Sequence, residues 1–116
     1  GIKATMSKKT FEDPALVQLY SSIQAFNTEF SFSRLSNLSR QEDRVETSRL
    51  KNMKVPTLII SGEEDPLFLP EQLSDLVPCF HDARIEIVTD AGHSPYFEQP
   101  HTFNKLLQEH VQNYSQ

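Results

Sequence analysis

Cysteine is nearly absent from this chain: Cys79 is the single one in 116 residues. One thiol cannot form an internal disulfide, and no cluster of cysteine ligands can hold a metal; a reducing compartment is compatible with such a chain. Glycine is scarce too, occurring only as Gly1, Gly62 and Gly92, so sharp backbone turns that need it are confined to few places. No apolar run reaches the roughly 18 residues of a membrane-spanning helix, and no secretory leader pattern opens the chain. The first methionine is Met6, from which a cut or truncated N-terminus is expected. A soluble, cytoplasmic protein is the expectation, with no membrane partner.

Basic residues are scarce in one half only. Residues 55–116 carry two Lys/Arg against ten Asp/Glu, whereas residues 1–54 carry nine against six, for a net charge of −5. An acidic C-terminal half argues against phosphate-backbone binding there, and the basic residues of the first half alternate with Glu as on a solvated helix face. No nucleic-acid partner is expected. At 13.3 kDa the chain suits one domain with a modest core, or one piece of a larger domain.

What is present falls into an ordered pattern. Residues 1–12 are polar and basic without periodicity and read as a tail or loop. Asp13-Pro14 offers a helix cap followed by proline at the first helical position, and Leu16, Leu19, Tyr20, Ile23 and Phe26 recur at helical spacing, predicting a helix over 14–27. Phe30, Phe32, Leu35 and Leu38 lie scattered in a Ser/Asn-rich stretch that reads as loop packed on the core, and the charged residues 40–52 read as an exposed helix. Composition then changes abruptly. Val55 to Ser61 and Arg84 to Thr89 are short, nearly continuous apolar runs, as expected of strands buried on both faces. Between them, residues 62–83 hold Pro70, Leu73, Leu76 and Val77 at helical spacing, which makes a crossover and hence parallel strands. Pro100 opens a last helix with Phe103, Leu106, Leu107, Val111 and Tyr114 on one stripe. The order β, α, β, α after leading helices is an α/β pattern. Two strands apolar on both faces cannot be covered by these helices alone, so the chain looks like the end of a larger doubly wound sheet.

Asp65 and His93 follow these two strands, each close to an internal glycine and 28 residues apart, which is what one crossover and one strand consume. In open parallel sheets ligands bind beyond the carboxyl ends of the strands. A carboxylate there can fix an imidazole tautomer and leave the second nitrogen free as a general base. Alone, Asp65 before Pro66 reads as a turn former and His93 as an ordinary histidine; together they point to catalysis. Cys79, between Pro78 and Phe80, reads as a small apolar side chain. His81, His101 and His110 have no partners at metal-ligand spacing, so neither a metal nor a cofactor is expected.

The residues from Val55 (VPTLIISGEEDPLFLP) and from Ala91 (AGHSPYFEQP) resemble the last two strands of the α/β-hydrolase fold, over about residues 54–114. Residues 13–53 resemble more loosely the end of the helical cap of members such as carbon–carbon bond hydrolases, haloalkane dehalogenases and epoxide hydrolases. The chain accordingly divides into 1–12, a helical segment 13–53 and a core segment 54–116. The resemblance implies Asp65 as the triad acid, His93 as the triad histidine, Asp90 and Glu98 as loop-forming groups, and a small apolar ester or related molecule as substrate. One departure matters. A G-x-S-x-G elbow needs two glycines four positions apart, and none of the three here is so placed. Ser94 sits on the histidine turn before Pro95 and reads as a loop residue. The expectation is a hydrolase whose nucleophile lies outside these residues, so that the 116 residues alone are inactive. The alternatives are a non-catalytic binding or interaction protein on a hydrolase scaffold, or one chain of a two-chain assembly whose partner carries the first strands.

Overall fold

The two apolar runs are the strands. A computed structural model describes residues 5–26 and 46–115. In it β1 covers Thr57–Gly62 and β2 covers Ala83–Val88, paired in parallel with Thr57 level with Ala83 and Gly62 level with Val88. β1 starts at Thr57 because Pro56 before it has no N–H to give to a ladder; the first donated bond runs from Thr57 N to the Asp82 carbonyl, 2.9 Å. The crossover holds helix α3 (Pro70–Leu76), which has Pro70 at its start, and a 3₁₀ turn over Val77–Cys79. The α/β order and the parallel pairing agree with the sequence pattern.

Before the sheet come α1 (Lys8–Phe11), α2 (Pro14–Gln24) and a 3₁₀ helix (Thr47–Asn52). Asp13 caps α2: its Oδ1 accepts from the N–H groups of Ala15 (2.9 Å) and Leu16 (3.3 Å). The predicted helix over 14–27 thus ends three residues early within a described stretch that stops at Phe26. Residue 27, the aromatic stretch from Phe30 to Leu38, and residues 40–45 of the expected exposed helix lie outside the described residues; residues 47–52 are a 3₁₀ helix rather than α. After β2 follow α4 (Pro95–Glu98) and α5 (Pro100–Tyr114). His110 ties α5 to the start of β1, with Nε2 at 3.3 Å from the Pro56 carbonyl.

Two features differ from the sequence reading. Residues 1–12 read as a tail or loop, yet Met6, Ser7 and Thr10 are buried, and Ser7 caps α1 by accepting from Thr10 N. Hydrogen bonds to distant loops tie this segment down, and they leave no apolar period to detect. The strands, read as buried on both faces, are half-buried along most of their length, and Ile87 is 48% exposed. The described helices cover these faces only in part.

Candidate active site

Both strands end in tight, mutually bonded turns. Glu63 N donates to the Val88 carbonyl and Glu64 N to the Ala91 carbonyl, each at 2.9 Å, so the loop after β1 is stitched to the loop after β2. Gly62 makes this approach possible. A Cβ there would overlap the carbonyl oxygen of Gly92, and one on Gly92 would overlap that of Thr5. Asp90 supplies the remaining sharp turn with a left-handed backbone, φ 56°.

Asp65 and His93 meet over these turns. His93 Nδ1 lies 3.0 Å from Asp65 Oδ2 and 3.3 Å from Oδ1. The Asp65 side chain is buried, that of His93 37% exposed. Asp65 makes two kinds of contact at once, within its own turn and to His93. Its Oδ1 accepts from Leu67 N (2.8 Å) and Phe68 N (3.2 Å), which closes the turn and aims Oδ2 at the imidazole. With the carboxylate accepting, Nδ1 carries the proton and Nε2 is left as the nitrogen that can take one. Phe68 stacks on the imidazole, ring centroids 5.8 Å apart and planes 25° apart, while itself 56% exposed.

The other candidates fall elsewhere. Ser94 is buried at the position just before α4, where its side chain makes no capping bond, with its N–H on Glu98. Cys79 is a half-buried free thiol in the 3₁₀ turn beyond α3. Asp90 accepts from Lys9 Nζ at 2.9 Å and does not face His93 as its partner. His81 and His101 are exposed, His110 is packed against Tyr114 with centroids 5.0 Å apart, and among the described residues no group of three or more His, Cys, Asp or Glu could hold a metal. Sequence reasoning missed Phe68, whose only signal was an apolar residue three positions beyond the acid. It also missed how much Glu98 holds, because its partners are backbone amides.

No family model matches the chain. A curated protein of Bacillus subtilis (strain 168) named "Putative 2-succinyl-6-hydroxy-2,4-cyclohexadiene-1-carboxylate synthase" is 39% identical over 64 residues, 53% of this chain and 22% of that protein. A thermophilic esterase from Thermogutta terrifontis superposes with a TM-score of 0.56 at 27% identity, over 58% of this chain and 25% of its own. A serine hydrolase involved in carbazole degradation, the CarC enzyme, superposes with a TM-score of 0.70 at 18% identity, over 96% of this chain and 44% of its own. The chain has the fold of the C-terminal part of an α/β hydrolase. It thus spans less than half the length of these relatives. The turns that carry Asp65 and His93 lie at the carboxyl ends of β1 and β2. No helix among the described residues is long and apolar enough to cross a membrane.

Proposed function

We propose that this chain supplies the acid and histidine of an α/β-hydrolase active site acting on an ester or similar small apolar substrate. The observation that carries the reading is the 3.0 Å contact of His93 Nδ1 with the buried Asp65 carboxylate, between residues at the ends of adjacent parallel strands. In this reading Asp65 holds the imidazole in one tautomer and stabilises the imidazolium, and His93 Nε2 takes a proton from the nucleophile or the hydrolytic water and returns it to the leaving group. In this reading the nucleophile, serine or aspartate, and the oxyanion hole belong to sequence outside these 116 residues, since no two of the glycines stand four positions apart as an elbow requires. Exposed Phe68 against the imidazole favours an apolar group on the substrate. The esterase and serine-hydrolase descriptions of two structural relatives agree with this class.

The test is turnover of an activated ester by the protein that includes its upstream sequence, beside the 116-residue chain challenged with a fluorophosphonate label. Turnover is expected in the former, falling by about four orders of magnitude in Asp65→Asn and at least as far in His93→Gln, with folding retained. Covalent labelling of the 116-residue chain would overturn the placement of the nucleophile. An upstream sequence without a Ser, Cys or Asp elbow would favour the non-catalytic binding protein instead.

A further inference from the structure

Glu98 is a carboxylate withdrawn from water, 5% exposed, and its two oxygens receive three backbone N–H groups. Oε1 accepts from Ser7 N at 2.7 Å; Oε2 accepts from Gly92 N at 2.8 Å and from Ser94 N at 3.1 Å. Gly92 and Ser94 are the chain neighbours of His93 on either side. The remaining amide, that of His93, donates to the Thr5 carbonyl at 2.7 Å. Three consecutive N–H groups around the histidine are therefore all held. Glu98 holds the outer two directly, and through Ser7 it also holds the segment that takes the middle one. Charge-assisted bonds of this kind are short and directional, and a buried carboxylate persists only when its lone pairs are used.

We infer that Glu98 is a positioning residue for the His93–Asp65 pair, fixing the direction in which the imidazole leaves the backbone so that Nδ1 stays on Asp65. This rests on the proposed function only for its catalytic meaning; the geometry concerns Nδ1 and Oδ2 alone. The anion is needed, not its shape. In a glutamine one end of the amide is an NH₂ group, which would face an N–H donor whichever way it turned, so at least one of the three amides would lose its acceptor. A loop released by a fraction of an ångström lengthens a contact that works only near hydrogen-bond distance.

The experiment reads the histidine directly, in the protein that includes its upstream sequence, labelled with ¹⁵N. Long-range imidazole correlations give the His93 tautomer, and solvent-exchange spectra give the rate at which the Nδ1 proton leaves to water. In Glu98→Gln the Nδ1 proton should exchange about tenfold faster or more, and the Nδ1–H tautomer should lose population, while the amide pattern of β1 and β2 is kept. Unchanged tautomer and exchange, with faster exchange only at the amides of Ser7, Gly92 and Ser94, would make Glu98 a loop clamp and overturn the inference. Should Glu98→Gln not fold, Glu98→Asp, which keeps the charge but falls short by one methylene, is expected to move the same proton in the same direction; no change there also overturns it. Asp65→Asn separates the two readings. If it leaves the Nδ1 proton untouched, the acid–histidine pairing itself fails, whatever Glu98 does.

Discussion

At the scale of single residues, one side chain of the site performs two local tasks. Asp65 closes its own turn with Oδ1 and holds His93 with Oδ2, so turn geometry and the orientation of the imidazole are set by one carboxylate. That explains why the residue reads ambiguously in sequence: the aspartate-before-proline signal belongs to the turn, and the catalytic signal appears only when a histidine is found one crossover later. Under the proposed function, Phe68 bears on substrate choice. Its ring covers one face of the His93 imidazole and is otherwise largely in water. If an apolar part of the substrate packs on it, Phe68→Ala should raise KM for apolar esters about tenfold, from about 1–2 kcal/mol of lost burial, with a smaller change for acetyl esters. Steady-state kinetics on an acyl series in the protein with its upstream sequence checks this; equal losses across the series would place Phe68 outside the pocket.

At the scale of elements, what could be read beforehand follows the kind of force that makes each element. The strands and α5 were legible because their apolar residues recur with a period or run continuously, and burial of such residues needs no knowledge of the partner. Strand edges came out shifted by one or two residues at Pro56 and Ala83, where the hydrogen-bond ladder rather than hydrophobicity decides. Residues 5–12 were not legible as an ordered element. Ser7 and Thr10 are buried through bonds to each other and to Glu98, and Lys8 N reaches Glu64 Oε2 at 2.8 Å, so the segment is held by groups far off in sequence. Two element-level predictions follow from the geometry. Asp13→Ala removes the cap from α2 and should cost about 1 kcal/mol in a denaturant titration. Gly62→Ala places a methyl group on the Gly92 carbonyl, a clash with backbone that no rotamer relieves, and should cost about 3 kcal/mol or more or prevent folding; wild-type stability of that variant by denaturant midpoint would refute the close approach of the two turns.

At the scale of the whole molecule, the described residues leave apolar surface that a parallel sheet normally hides. Each strand of the two-stranded sheet has one edge without a partner among the described residues, Ile87 is 48% exposed on β2, and Val55 is 66% exposed at the approach to β1. On α5, Leu107, Val111 and Tyr114 are each about half exposed. Parallel strands occur almost only with both faces covered, and an unpaired edge is a template for another strand. Net charge opposes association only weakly, since −5 on a chain of this size is screened within about 10 Å at ordinary ionic strength. The 116-residue chain by itself is therefore expected to associate: sedimentation velocity at micromolar concentration should give particles heavier than 13.3 kDa, with binding of a hydrophobic dye, and dye binding should fall when charges are placed at Ile87 and Val55. A monomer that binds no dye would overturn the expectation that these faces seek a covering partner.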